Sequence, residues 1–195
     1  YFPAPDPKLT TGRPLMIGVV AQGVDDPWES ARRTHMVAIA GAARIMRIQS
    51  PYFVPDVGIY DSMINAALAG VEVHFMMTGW PDKRYAFWTA QSYWRRLIEA
   101  GGRVYTYQAG FLHSKTIAID SQLCAVGTMN MDLRSLRLQR ELMMWVYDAK
   151  RTLEVERAFD EDLKHCTEIT LEDVDAMNWA LRFRNSASRL AANLL

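Results

Sequence analysis

Few of the residue types that announce a protein class are plentiful in this chain, and each shortage excludes something. Only two cysteines occur, Cys124 and Cys166, far apart and in no metal-ligand spacing. That excludes a disulfide scaffold and a thiolate zinc site, and leaves two buried thiols in a reducing compartment as the expectation. Net charge is missing: 22 lysines and arginines balance 22 aspartates and glutamates. No overall basic field then draws the molecule to nucleic acid or to an anionic surface, although local patches remain open. No apolar run approaches the roughly 18 residues of a membrane span; the longest, MVAIAGAARIM, is short and carries Arg44. No signal peptide leads the chain, and Tyr1 stands where a methionine would start a complete protein. That start suggests a fragment, so absent targeting signals say little about a parent protein. Histidine is scarce as well, with four in 195 residues, which makes the placing of each informative.

What is present is globular composition: 50% hydrophobic and 23% charged residues, in a chain long enough to bury one core without a covalent staple. Residues 1–14, rich in proline and polar groups, read as a lead-in or linker, and 15–195 as one domain. Strand and helix patterns alternate from there. PLMIGVVAQG reads as a strand, and DPWESARRTHMVAIAGA as a helix opened by Asp26 with Pro27 at its first position. RIMRIQSPYF and VEVHFMMTG are strands on either side of the helix DSMINAALAG. In KRYAFWTAQSYWRRLIEAGG, Phe87, Ala90, Trp94, Leu97 and Ile98 fall at helical spacing before a Gly-Gly stop. Four short strands follow, RVYTYQ, KTIAID, LCAVGTMN and ELMMWVYD. An amphipathic helix over KRTLEVERAFDEDLKHC comes next, then a second from about TLEDVDAMNWALRF onward, whose tail is expected to pack on the sheet. The pattern predicts an α/β fold: a three-layer α/β/α sandwich with a mixed, largely parallel sheet.

The densest chemistry lies in FLHSKTIAID, residues 111–120, which runs straight into SQLCAVGTMN. Read as a buried strand, this stretch points side chains two apart to one face, so His113 and Lys115 project together. Asp120 ends that strand, and the next delivers Thr128 and Asn130, again two apart. If the strands pair, an imidazole, an ammonium, a hydroxyl and a carboxamide meet on one patch. Such a set suits a phosphodiester: the ammonium gives charge-assisted donors, the hydroxyl and amide give neutral ones. The imidazole can attack phosphorus or protonate a leaving alkoxide near neutral pH. No second histidine or carboxylate cluster stands at metal-ligand spacing, so the expected chemistry uses neither metal nor cofactor. A lone histidine on an apolar strand is ordinarily a packed core residue, and His74 in VEVHFMM is read so. His35 and His165, each on a helical pattern, read as surface or boundary residues.

The frame H-x-K-x4-D-x6-G-T-x-N spans 18 residues and resembles the HKD signature of the phospholipase D superfamily. SPYFVPD at 50–56, PDK at 81–83, SYWRRLIEAGGRVYTYQAGFLHSKT at 92–116 and GTMNMDLRS at 127–135 resemble, more narrowly, the C-terminal half of bacterial cardiolipin synthases. The similarity runs from about Ile17 to Asp148. It implies a phospholipase D-like fold in which two HKD motifs meet across a pseudo-twofold interface. One histidine becomes a phosphohistidine and the other protonates the leaving group. By that resemblance His113 belongs to the second motif and acts as general acid, then base; Lys115 and Asn130 hold the phosphate, and Thr128 lines the pocket. Asp120 is an anchor within the motif, and Glu141 matches a carboxylate that orients a catalytic imidazole. Tyr52 is expected as a pocket wall, with Asp56 as a weaker candidate nearby.

The implied reaction moves a phosphatidyl group from one phosphatidylglycerol to another and releases glycerol. Its partners would be phosphatidylglycerol and other anionic phospholipids, a membrane surface, and an N-terminal HKD half or a second copy of this chain; nucleic acid is not expected. Its place would be the bacterial cell membrane, held there by segments outside this chain. One motif alone cannot supply both nucleophile and acid, so the isolated chain is expected to be inactive. Two other readings remain open: a single-motif phosphodiesterase or nuclease working as a homodimer, and a non-catalytic phosphate-binding module. A basic groove with stacked aromatics would favour the nuclease.

Overall fold

Strands whose side chains are apolar on both faces must be covered on both, and that requirement sets the layers here. The computed structural model describes residues 14–190, so residues 1–13 of the expected lead-in and residues 191–195 of the tail lie outside the described residues. In chain order the elements are β1 (Met16–Gln22), α1 (Ser30–Ala40), β2 (Ile45–Gln49), β3 (Phe53–Val54), α2 (Val57–Leu68), β4 (Glu72–Thr78), α3 (Arg84–Glu99) and β5 (Arg103–Tyr107). There follow β6 (Thr116–Ile119), β7 (Leu123–Gly127), β8 (Met131–Asp132), α4 (Leu133–Arg137), β9 (Glu141–Tyr147), α5 (Ala149–Leu163), β10 (Cys166–Ile169), α6 (Leu171–Ala176) and α7 (Trp179–Leu190). Eight strands form one sheet in the order β1-β9-β7-β6-β2-β4-β5-β10, and β3 pairs with β8 beside it.

The sandwich is present, but the sheet is not largely parallel. In the main sheet only β2–β4 and β4–β5 run parallel, and the other neighbours are antiparallel. A parallel pair needs a long crossover, and only the α2 and α3 segments provide one between sheet neighbours. Between β6 and β7 the chain instead reverses within a tight turn: Asp120 and Ser121 both take left-handed backbone, φ 53° and 57°, and Gln122 donates its N–H to the Ile119 carbonyl at 3.0 Å. Two consecutive left-handed residues are the mark of a hairpin turn that matches strand twist. The reversal makes β7 run antiparallel to β6, and β9 pairs antiparallel with β7 in turn.

Alternation then divides the core. Ile39, Met46, Ile48, Phe53, Phe75, Ile117, Ala125 and Trp145 are buried between one face and helices α1 to α3. On the other face α5 covers Ala118, Cys124 and Val146, and sets Phe159 against Met76 and Tyr105. Each of the buried isoleucine, methionine and phenylalanine side chains contributes about 1.5–3 kcal/mol by leaving water. Among the described residues the α5 face is only partly covered. Val19, Met144 and Val126 lie in one row across β1, β9 and β7, and are 64%, 38% and 41% exposed, with Leu142 beside them.

Local boundaries depart from the sequence pattern for identifiable reasons. The first helix begins at Ser30, not at Pro27, because the Asp26 carboxylate takes the N–H groups of Trp28 and Ser30 in a turn and Glu29 adopts left-handed backbone. The second starts at Val57, where Asp56 caps it by accepting from Ile59. The C-terminal helix divides into α6, closed by a Thr170–Asp173 capping box at its start, and α7, whose first turn Asn178 caps through Leu181. α7 packs on α3 instead of the sheet: Thr89 donates to Ser188 at 2.9 Å, and Arg184 stacks over Trp88 at 4.4 Å.

Candidate active site

Strand directions bring several of the candidate side chains to one end of the sheet. The carboxyl ends of β1, β2 and β7 and the amino ends of β6 and β9 lie together, as the register of their pairs requires. His113 and Lys115 arrive there in the connection before β6, not on the buried strand expected for them, since the strand begins at Thr116. His113 is exposed, and its ring stacks on Phe111 at 5.6 Å between centroids. Lys115 is half-buried, and its ammonium donates to the His113 carbonyl at 2.7 Å. Gly127 donates its N–H to the Lys115 carbonyl at 3.2 Å, which ties the connection to the end of β7.

Burial draws the Lys115 ammonium below its ordinary pKa by stripping water from it, while the Glu141 and Asp132 carboxylates pull it back up. The lysine therefore stands as a partly dehydrated cation with two carboxylates within charge reach. Glu141, buried at the start of β9, accepts a hydrogen bond from the Thr128 hydroxyl, and the N–H of Leu142 donates to the same hydroxyl at 3.0 Å. Asn130 donates from its amide to the Ser135 hydroxyl at 3.2 Å, and its side-chain oxygen is buried with no hydrogen-bond partner. Asp132 lies two residues on; burial raises its pKa against the opposing N–H of Ser135 and the Asn130 amide.

Asp120 stands apart. It occupies the far end of β6, about 16 Å from Lys115 by strand rise. Its carboxylate accepts from the backbone N–H groups of Ala43, Arg44 and Ile45 at 2.7 to 2.9 Å. Burial raises its pKa, yet those three donors hold it net below the usual value. Tyr52 donates to the Asp82 carboxylate at 2.8 Å, with the Lys83 ammonium 5.5 Å above its ring, and shares a small cavity with Lys83 and Asp132. Burial first, and Asp82 second, push the Tyr52 phenol well above its ordinary pKa. Asp56 is committed to capping α2 and to ion pairs with Arg32 and Arg137 at the α1 and α4 segments.

The sequence pattern did not single out Gln22, Asp82, Asp132 or Ser135. Gln22 is buried, takes the N–H of Arg32 and donates to the Leu136 carbonyl, so it locks the β1 end to α1 and α4. Asp132 was legible as the next side chain on the Asn130 face of an extended stretch; Gln22 and Ser135 gave no such signal. His35 is buried against Trp145, 5.1 Å between ring centroids, and is no surface residue. Its pKa falls to about 4 because burial excludes the charged form. His74 packs beside Tyr105, with its ring nitrogen 3.2 Å from the phenol oxygen. Among the described residues no three His, Cys, Asp or Glu side chains stand together as a metal-holding group.

A cleft of about 620 Å³ opens beside this cluster, walled by Gln22, Gly23, Asp25, Thr128, Arg140 and Glu141. An exposed imidazole and a partly dehydrated ammonium two residues apart on one connection, with carboxylates within charge reach of the ammonium, are the groups needed to bind a phosphate ester and to move a proton at its bridging oxygen.

The family model described as "Cardiolipin synthase, PLD-like domain" matches residues 36–163. A cardiolipin synthase of Clostridium perfringens strain SM101 is 38% identical over 195 residues, all of this chain and 41% of that protein. The major cardiolipin synthase of Bacillus subtilis strain 168 is 35% identical over 195 residues, 40% of its length. The chain thus spans about two fifths of the curated relatives it matches. In three dimensions it resembles Nuc, a phospholipase D family member from Salmonella typhimurium, with a TM-score of 0.69 at 18% identity over 80% of this chain and 99% of that one. That last likeness concerns the fold.

Proposed function

The chain belongs to the cardiolipin synthase, PLD-like domain family, and from that premise we propose that it is the C-terminal catalytic half of a phosphatidyl transferase. It carries one HKD motif, and the complete enzyme would join it to a second. The observation that carries this reading is the HKD connection itself, where the exposed His113 side chain and the partly dehydrated Lys115 ammonium, bonded to the His113 carbonyl, stand at one end of the sheet beside a partly exposed apolar face.

The steps follow from that pairing. Lys115 holds the phosphate of one phosphatidylglycerol, and the histidine of the other HKD motif, in the N-terminal half, attacks phosphorus. The bond from phosphorus to the headgroup oxygen breaks, and glycerol leaves with a proton given by His113. A second phosphatidylglycerol then returns a hydroxyl proton to His113 as its oxygen attacks the phosphohistidine. The phosphorus–nitrogen bond breaks, cardiolipin forms and both imidazoles are restored. A covalent intermediate suits this outcome, because the enzyme-bound phosphatidyl group can wait for an alcohol. Asn130 and Thr128 complete the phosphate pocket, Glu141 positions groups around it, and Tyr52 forms part of its wall.

The other, N-terminal HKD half docks, in this reading, on the row of Val19, Met144 and Val126. That row runs into Gly127 and Thr128, so its cover would sit against the site and supply the missing histidine. The complete protein would work at a bacterial membrane, anchored by segments outside this chain.

The test is incubation of the complete two-motif protein with phosphatidylglycerol vesicles and analysis of the products by mass spectrometry. Equal amounts of cardiolipin and glycerol are expected, with turnover lowered on the order of 10³-fold by His113→Ala at unchanged thermal stability. Conversion to phosphatidate alone, or near-normal turnover in the variant, would overturn the assignment.

A further inference from the structure

Loops of a water-facing domain are ordinarily polar, and exposed apolar side chains gathered in one place mark a contact surface. At the site's end of the sheet the connections break that habit. Val24 and Trp28, between β1 and α1, are 71% and 70% exposed; Val57, at the start of α2, is 76% exposed and Leu138, after α4, 55%. One ion-pair network joins the three segments that carry them. Arg32 bonds Glu29 at 2.8 Å and also Asp56, while Arg137 reaches Asp56 at 3.2 Å and Glu29 at 3.9 Å.

Exposed or partly exposed arginines stand among these side chains. Arg33 donates to the Trp28 carbonyl at 2.6 Å, and Arg140 lies 3.8 Å from Asp25. The nearby carboxylates are engaged: Asp26 by two backbone N–H groups, Glu29 by Arg32 and Arg137. Charge is thus close to balanced, and attraction to a surface would come chiefly from the apolar groups. The patch also has a definite place. Gly23, Asp25, Asp26 and Arg140 line the cleft walled by Thr128 and Glu141, and Val24, Trp28 and Leu138 each lie within two residues of one of them.

We propose that Val24, Trp28 and Leu138 are a bilayer-docking lip that enters the headgroup layer of a phospholipid surface beside the cleft. Tryptophan suits that layer because its ring is apolar and its N–H can stay wet. Arg33, Arg137 and Arg140 meet lipid phosphates around it. Docking in this orientation carries the site to its substrate, so no lipid has to be drawn fully out of the bilayer. The inference deepens the phosphatidyl-transfer reading and depends on it for the identity of the substrate.

The experiment is flotation of the 195-residue chain with vesicles of phosphatidylcholine, alone or mixed with phosphatidylglycerol. The parent chain should float with both, somewhat better with the mixture. The double variant Trp28→Ser/Leu138→Ser should lose roughly tenfold in bound fraction. Trp179→Ser/Phe183→Ser, which removes side chains 81% and 71% exposed on α7, should bind as the parent does. A parent that stays off both vesicles overturns the proposal, as does a lip variant that binds undiminished. So does a parent that sediments as a dimer and becomes a monomer in the lip variant, which would assign the patch to protein contact. The underlying reading is judged separately, by turnover of the complete enzyme on a short-chain phosphatidylglycerol dispersed as monomers. Failure there removes the reaction and leaves the flotation result to judge the lip.

Discussion

The Thr128 hydroxyl donates to the Glu141 carboxylate, and the same carboxylate supports the charge on Lys115. The two residues therefore link the end of β7 to the electrostatics of the HKD lysine. In the complete enzyme, Glu141→Gln keeps the shape and an acceptor for Thr128 but removes the negative charge. Burial already lowers the Lys115 pKa and Glu141 opposes that, so losing Glu141 lowers it further. The ammonium then deprotonates at lower pH, and the alkaline limb of the pH–rate profile moves to lower pH. An alkaline limb that stays put in the variant would separate Glu141 from Lys115.

Met144 tests the docking surface. It is 38% exposed, between Val19 and Val126 in the row left bare by α5. Met144→Glu costs this domain little when it stands alone, because the side chain already meets water. Against an apolar partner surface the carboxylate would be buried without a counter-charge, which costs several kcal/mol. Two halves expressed as separate chains should regain phosphatidyl transfer on mixing, and the variant half should not, with unchanged thermal unfolding of its own. Full activity from the mixed variant would place the second half elsewhere.

How much of this was legible in the sequence depended on the range of the interactions. The HKD spacing is local, and it located His113 and Lys115 without any knowledge of the sheet. The α/β/α layering followed from alternation, which is also local. Strand direction was not: only the left-handed pair Asp120–Ser121 reveals that β6 and β7 form a tight hairpin, and neither residue is glycine. β10 was missed because the four-residue stretch CTEI, just beyond α5, becomes a strand only by pairing with β5 at the sheet's edge. The helical pattern around His35 pointed only to a surface or boundary position. The burial of His35 depends on Trp145, which is 110 positions away in the sequence.

Asp120 separates an anchoring role from a chemical one. Its two oxygens accept three backbone N–H groups at the start of β2. Asp120→Asn tolerates the left-handed backbone but turns an amide N–H₂ toward one of those donors. A loss of about 1–2 kcal/mol is expected, discounted for the partial exposure of the site. The carboxylate's pKa is depressed in the fold, so its contribution is present above the unfolded-state pKa and fades as pH falls through the folded value. Urea unfolding should therefore show wild type and variant converging in acid. Turnover per folded molecule in the complete enzyme should stay within about twofold, given the distance of roughly 16 Å from Lys115. A variant of normal stability and no activity would move Asp120 into the reaction.

His35 makes the folded domain sensitive to mild acid. The ring is 1% exposed, bonds the Ala31 carbonyl at 2.8 Å through Nδ1 and sits edge-on to Trp145. Its pKa drops from 6.5 to about 4, since burial penalises the imidazolium more than the carbonyl stabilises it. Below pH 6.5 the unfolded chain takes up a proton that the folded chain refuses. Stability attributable to this group therefore declines from pH 6.5 toward about 4 and levels off below. At 1.36 kcal/mol per pH unit the whole decline is about 3 kcal/mol. His35→Leu removes the titration and fills much of the same space, at some cost in fit around Trp145. Urea unfolding of both proteins at pH 7.5 and at pH 4.5 isolates the effect, because every other titrating group is shared. The wild type should lose about 2–3 kcal/mol more than the variant between those two conditions. Equal losses would mean that the imidazole is protonated in place, with Trp145 and the helix making room for its charge.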